Sequence, residues 1–385
     1  MPLNIAFYTD SYHPAVDGVV TSIDNFAAEL ERRGHKVYIF TAGKKDGSES
    51  AYNVFFAKGV RFKKYPQYTF AVFPYLSASR ARKLKIDMVH AHTPFSMGIS
   101  GLMASKVNRV PIVGSFHTLF TDKSVIREYV SENSFISNMA NRYSWSYARF
   151  FYNKCDVVTA PSRAIEELLH RHRIMDTRVV ENGVNTRLFS PSVSGRAVRR
   201  MLVGESKKKV VMYVGRVSIE KRLDVMINAA RLLRKSDLIF VIIGGGPSLE
   251  HYKSLVRHHG LDGMFRFLGF IDNAKLPEYY AASDVFCIPS TFETQGIVSI
   301  EAMACGKPVV GADYLALKEL IKNGYNGEKF TPDDARDCAT KIEKVINDIG
   351  RYKGMVATAK MYSIESTTDR LLGVYEKITG QGSAH

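Results

Sequence analysis

The sequence predicts an α/β protein built from two doubly wound parallel-sheet domains in tandem. Three observations carry that prediction. Short apolar runs alternate with helix-like stretches along the chain; the alternation breaks once and restarts after a basic, serine-containing stretch near residues 186 to 209; glycines and charged residues gather where the runs end. Parallel strands covered on both faces read as continuous apolar runs separated by crossover helices, and such sheets take ligands at the carboxyl ends of their strands. Two domains facing a cleft are the expected architecture.

Taken in order, the first strands are NIAFYTD, KVYIFTA, DMVHAHT and PIVGSFHT, each ending in polar or small residues. Between the first two, Val20, Ile23, Phe26 and Leu30 share one face of an amphipathic helix that opens at Gly18. The second series is KKKVVMYVGR, DLIFVIIGGG, MFRFLGF, DVFCIPS and PVVGAD. The last helix is expected in MYSIESTTDRLLGVYEKIT, with Ser363 or Ser366 near its start. These elements divide the chain into a first domain over residues 1–188, a second over 189–363, and a terminal helix over 364–385 that packs back on the first domain.

The composition bounds the function. With 385 residues, 45% hydrophobic and 24% charged, the chain has the make-up of a globular protein of two domains. Cys155, Cys287, Cys305 and Cys338 have no C-x-x-C spacing, which argues against a zinc site or a disulfide framework and fits a reducing cytoplasm. The first strand follows Met1 without a charged leader and cleavage site, and nowhere do about 18 uncharged apolar residues run together, so neither export nor a membrane span is expected.

The net charge of +15 is clustered. Between Ser50 and Ile86 stand Lys58, Arg61, Lys63, Lys64, Arg80, Arg82, Lys83 and Lys85 without one acid, and aromatic residues are interleaved. A basic, aromatic surface meets nucleic acid or an anionic membrane, or is simply a solvated face.

The candidate site residues lie at strand ends. Gly18 opens the first helix, where a backbone can approach an anion; alone it is equally a turn glycine. Arg216 and Lys221, after Gly215, can clamp a diphosphate, one as a planar fork and one as a point charge, or stand solvated. Gly244, Gly245 and Gly246 form another turn where a backbone can pack against a flat ring. Glu293 and Glu301 are eight residues apart; projected on one helix they lie on neighbouring faces, about 12 Å apart along it. The loop STFETQG is expected to deliver Glu293, with Gln295, Gly296 and Ile297 presenting N–H groups at a helix start and Glu301 inside the helix, although two acids near a helix N-terminus also serve its dipole. No G-x-G-x-x-G fingerprint occurs, which argues against a nicotinamide cofactor.

The ordered set of Gly18 loop, SFHT, Gly-Arg followed by Lys221, GGGP and Glu-x7-Glu closely resembles the GT-B glycosyltransferases of family 4, over almost the whole chain. Within them it is most similar to the diacylglycerol glucosyltransferases and phosphatidylinositol mannosyltransferases. The resemblance implies two Rossmann-like domains and a retaining transfer of a hexose from a UDP- or GDP-linked donor to an acceptor hydroxyl. It implies that Arg216 and Lys221 hold the diphosphate with Gly18 beside it, that Glu293 contacts the transferred sugar, and that Glu301 holds the ribose. Gly215, Gly245, Gln295, Gly296 and Ile297 would complete the donor site, with the base near Phe270 and Ile271 and His117 beside the sugar. His90 and His92 are left as structural or acceptor-side groups.

No D-x-D motif occurs, so neither a metal nor another cofactor is expected. The expected partners are the nucleotide-sugar donor, a lipid or glycolipid acceptor and an anionic membrane touched peripherally from the cytoplasm, not nucleic acid. The rival readings are a nucleotide-sugar epimerase of the same architecture and a transferase with a soluble sugar or glycan acceptor.

Overall fold

The computed structural model describes residues 1–15, 17–43, 52–62, 65–71, 76–122, 126 and 133–380. It divides into two compact units, Met1–Gly183 with Ile364–His385 and Val184–Ser363. The sequence reading places the first boundary after residue 188. The structure places it five residues earlier, because Val184 bridges to Ser363 and joins Phe189 in the core of the second unit.

The first unit runs β1 (Asn4–Thr9), α1 (Gly18–Arg32), β2 (Lys36–Ala42), β3 (Asn53–Ala57), β4 (Gly59–Phe62), β5 (Tyr65–Ala71), α2 (Leu76–Lys83), β6 (Met88–Ala91), α3 (Ser96–Asn108), β7 (Ile112–Ser115), α4 (Ser134–Tyr152), β8 (Val157–Ala160), α5 (Arg163–Arg171) and β9 (Thr177–Val179). Its sheet has the order β3-β2-β1-β6-β7-β8-β9, parallel throughout. The order reverses between β1 and β6, the switch point at which such sheets take ligands. The basic, aromatic stretch of the sequence forms β3 and then the antiparallel pair β4–β5. Lys63 and Lys64 lie outside the described residues, while Lys58, Arg80, Arg82, Lys83 and Lys85 are exposed.

Alternation along the strands assigns the two faces. Ile5, Phe7, Val37 and Val113 point to one, where Ile23, Phe26 and Leu30 of α1 meet Leu371 and Tyr375 of the terminal helix Ile364–Thr379. Helix α1 forms because these apolar residues recur at three- and four-residue spacing and Asp17 caps its start. Arg33, just past its end, donates to the carbonyl of Glu365 and pairs with Asp369, tying down the terminal helix. Tyr8, Val89 and Gly114 point to the other face. A Cβ at Gly101 of α3 would lie 3.2 Å from Tyr8 and from Val89, and one at Gly114 would lie 3.2 Å from Tyr152 of α4. Helix α2 packs beside α3 in the same layer.

The second unit runs α6 (Arg196–Val203), β10 (Lys209–Val214), α7 (Leu223–Leu232), β11 (Leu238–Ile243), α8 (Leu249–His258), β12 (Phe265–Gly269), α9 (Leu276–Ala282), β13 (Val285–Ile288), α10 (Ile297–Ala304), β14 (Val309–Ala312), α11 (Leu315–Leu320), β15 (Gly327–Phe330), α12 (Ala335–Asn347) and α13 (Met355–Met361). Its parallel sheet has the order β12-β11-β10-β13-β14-β15, with the reversal between β10 and β13. Val211, Tyr213, Phe240 and Ile242 build one core, and Val210, Met212, Ile239 and Val241 the other. A strand buried on both sides needs this unbroken apolar run.

Candidate functional site

Each unit carries one group of the predicted residues at the carboxyl edge of its sheet. In the first unit Gly18 is the first residue of α1. The N–H groups of Val19 and Val20 are already taken by Asp17 Oδ1, both at 2.9 Å, and Ser11 Oγ holds the other carboxylate oxygen at 2.8 Å. An anion approaching Gly18 therefore meets a helix start with a carboxylate of its own.

His117, two residues past β7, is joined to His92, just past β6: His92 Nδ1 and His117 Nε2 are 3.0 Å apart and the rings are stacked. Asn182 is hydrogen-bonded to His117 and accepts from Ser22 Oγ at 2.7 Å. His90 lies behind them, fully buried, with Nδ1 2.6 Å from the Tyr375 hydroxyl and Nε2 2.7 Å from Ser115 Oγ. Burial holds the His117 imidazolium down at about 4, with the Asn182 bond opposing it, and burial followed by repulsion from neighbouring rings pushes His90 and His92 well below the usual range. All three rings are neutral at pH 7, so this edge offers hydrogen bonds and not positive charge. Both ring nitrogens of His90 are engaged within the unit. His92 is the immediate partner of His117; its signal in the sequence was the H-x-H spacing, which puts both side chains on one face of a strand.

In the second unit the loops after β10, β11 and β12 are laced together through their backbones. Gly215 donates to the Ile243 carbonyl at 3.0 Å, Gly244 to the Gly269 carbonyl at 2.8 Å, and Val217 to the Gly245 carbonyl at 2.9 Å. A Cβ at Gly244 would lie 1.9 Å from the Gly215 carbonyl oxygen and one at Gly246 2.3 Å from that of Val217, so only glycine fits at these two positions. At Gly245 a Cβ would meet open space. Phe270, just beyond β12, is 68% exposed, a free aromatic face, while Ile271 packs partly into the core.

Lys221, at the end of a tight turn Ile219–Lys221, donates to Glu293 Oε1 at 2.7 Å. Both side chains are mostly buried, and the ammonium also lies 5.7 Å from the Phe292 ring centre. Arg216 stands at the start of the same loop, its carbonyl accepting from the Tyr213 hydroxyl at 2.8 Å. Two residues 72 apart in sequence thus form one charged pair.

The two glutamates stand as the loop reading has them and not on one helix as in the projection. Helix α10 starts at Ile297, so Glu293 belongs to the loop before it and only Glu301 is helical. The break is Gly296, whose φ of 82° is a left-handed conformation that favours glycine. The helical ladder begins with Ser299 and Ile300, whose N–H groups donate to the Gly296 carbonyl at 2.9 and 3.3 Å, so the N–H groups of Ile297 and Val298 precede it. Glu301 is buried and accepts from the Tyr280 hydroxyl at 2.8 Å. Burial pushes its carboxyl up to about 7, against the pull of the Tyr280 bond. Tyr280 carries no motif, and no signal in the sequence pointed to it.

Comparison with known proteins agrees with this fold. Residues 16–188 match the model described as glycosyltransferase family 4, and residues 197–361 the one described as glycosyl transferases group 1. A sulfoquinovosyl transferase of Arabidopsis thaliana is 30% identical across 90% of this chain and 67% of its own. The alpha-monoglucosyldiacylglycerol synthase of Acholeplasma laidlawii is 29% identical across 86% of each chain. Among solved structures, HepE of Anabaena, in complex with UDP and glucose, superposes with a TM-score of 0.75 at 22% identity, covering 97% of this chain and 100% of its own.

Proposed function

Since the chain belongs to the GT-B glycosyltransferases of group 1 and family 4, we propose that it is a retaining, metal-independent hexosyltransferase, moving a sugar from a UDP- or GDP-linked donor to a hydroxyl of a membrane lipid. The observation that carries this reading is the Lys221–Glu293 pair. A sugar joined to a diphosphate needs an acceptor for its hydroxyls next to a cation for its phosphates, and these two side chains supply both at 2.7 Å. Lys221 spends one of its three donors on Glu293 and keeps two for phosphate oxygens. Arg216 adds a planar fork, and the N–H groups at the start of α10 add an uncharged anion site.

In this reading the leaving diphosphate is stabilised by Lys221 and Arg216 while the acceptor hydroxyl attacks the anomeric carbon from the face being vacated. A phosphate oxygen takes the hydroxyl proton. The protein then contributes positioning and charge stabilisation and needs no strong base. His117, neutral at pH 7, serves as a hydrogen-bonding partner of the sugar. Glu301 receives the ribose diol, and Phe270 offers its ring to the base. The lipid acceptor is supported by the relatives: the Acholeplasma protein is named for a glucosyldiacylglycerol product. The exposed cations of the first unit support attachment to the inner face of an anionic membrane.

A donor panel tests this. UDP- and GDP-sugars are incubated with the protein, with and without a lipid extract and EDTA, and nucleoside diphosphate release is measured. Lipid-dependent release from one donor that survives EDTA and is lost in Glu293→Ala is expected. Release abolished by EDTA would overturn metal independence; donor consumed without any acceptor would overturn transfer.

A further inference from the structure

Helix α4 is apolar on two opposite sides. Its buried side carries Trp145, Ala148, Phe151 and Tyr152, which pack under the sheet. Its outer side carries Phe135 (72% exposed), Ile136 (47%), Met139 (44%), Tyr143 (67%) and Phe150 (55%). At about 100° per residue these five fall within about 100° of the helix circumference, centred about 170° from the buried set. Five large apolar side chains in one stripe form a contiguous patch, not the scattered exposure normal for a surface.

The charges around this stripe have one sign. The helices α2, α3 and α4 cover the same face of the first sheet and contain Arg80, Arg82, Lys83, Lys106, Arg142 and Arg149, with no acidic residue in any of them. Arg142 and Arg149 flank the stripe on one side, and Lys154, past the helix end, lies over the Phe150 ring at 5.0 Å. Helix α5, whose end packs on α4 through the stack of His172 on Trp145 at 3.5 Å, carries Glu166 and Glu167 together with Arg163 and Arg171, on the buried side of α4 and away from the stripe; on the other face α1 holds Asp24, Glu29 and Glu31, and the terminal helix Glu365, Asp369 and Glu376. An aromatic and aliphatic stripe bordered by cations, on a helix that with α2 and α3 carries no acid, is complementary to anionic headgroups over hydrocarbon.

We propose that α4 is a membrane-seated helix, its Phe135–Phe150 stripe entering the interface of an anionic bilayer while the cations of α2, α3 and α4 meet the headgroups. This deepens the membrane reading above and rests on it. It differs from attachment by the basic stretch near β4 and β5 in placing apolar insertion on a helix about 70 residues further along.

The test uses the full chain with Met139→Cys carrying an environment-sensitive fluorophore. The four native cysteines are buried, so the introduced thiol is labelled selectively. Lys377→Cys on the terminal helix is the control. Vesicles of phosphatidylcholine with about 30 mol% phosphatidylglycerol supply the anionic surface. A blue shift at position 139 and none at position 377 is expected. The triple variant Phe135→Gln, Met139→Gln, Phe150→Gln, with unchanged circular dichroism, should bind those vesicles at least about tenfold more weakly. Vesicle binding with no shift at 139 and no loss in the triple variant would overturn the assignment of α4 and leave the membrane reading standing. No binding by the parent protein at low salt would overturn both. A parent dimer that the triple variant abolishes, without vesicle binding, would make the stripe an interface between copies and also overturn the proposal.

Discussion

Replacing Glu301 by glutamine should stabilise the empty second unit and weaken its hold on the donor. The carboxyl is raised from 4.5 to about 7 by burial, a difference worth about 3 kcal/mol between its protonated and ionised forms. Its folded value lies above its unfolded one, so the folded state binds the extra proton. Below pH 4.5 the group is neutral in both states and costs nothing; as pH rises through 7 the folded unit must bury a charge, and at pH 8 the whole cost is present. The parent protein should therefore lose stability across that window, whereas Glu301→Gln should not. Glutamine still accepts from Tyr280 but brings amide hydrogens that need partners, so the expected net gain at pH 8 is about 1 to 3 kcal/mol, with no gain at pH 4.5.

Amide hydrogen exchange of β10, β11 and β13, comparing the variant with the parent at the same pH, reads the second unit alone; the single tryptophan, Trp145, belongs to the first. A variant less stable than the parent by the same amount at both pH values would refute the buried-charge reasoning. The functional arm is separate. If the carboxylate binds a ribose diol, the variant loses a charge-assisted pair of hydrogen bonds and donor affinity falls about 10- to 100-fold. Parent affinity should also rise with pH toward 8, as the group ionises. Unchanged affinity would detach Glu301 from the donor while leaving the stability argument intact.

Lys221→Ala and Glu293→Ala should each lower turnover by about 10²-fold or more, and each should cost about 1 to 3 kcal/mol of stability by leaving its partner mostly buried and unpaired. The double variant should be less destabilised than the sum, which a double-mutant cycle by urea denaturation measures. Gly246→Ala should severely destabilise the second unit, whereas Gly245→Ala should leave its melting temperature nearly unchanged, because only the former places a methyl group 2.3 Å from a carbonyl oxygen. The first unit should be acid-sensitive: His90, His92 and His117 are held neutral when folded, yet an unfolded histidine takes up a proton below about pH 6.5, so each costs about 1.4 kcal/mol per pH unit as pH falls from there. Equal Trp145 fluorescence melts at pH 7 and pH 5 would contradict this.

The strands of both sheets were legible because a strand buried on both faces must be an unbroken apolar run, and KVVMYV and LIFVII have no other economical reading. The placement of motifs at strand ends followed from the fold class. Pairings across the fold were not legible. Nothing in the loop holding Lys221 specifies Glu293, and nothing around Glu301 specifies Tyr280, because the sheet order that brings them together is set by packing of whole elements. The two glutamates were legible in part: projecting both on one helix carries helical arithmetic through Gly296, whereas reading STFETQG as a loop and Gln295 to Ile297 as a helix start puts Glu293 outside the helix and Glu301 inside it, as the structure has them. Helix α4 is the most instructive. Its apolar residues fall at nearly every angle, a pattern shared by a helix buried in a core and one lying between a protein and a membrane. Only when the sheet has claimed Trp145, Ala148, Phe151 and Tyr152 does a second stripe remain, and its meaning comes from the cations that α2, α3 and α4 carry without an acid among them, a property of three helices together that no single stretch of the sequence displays.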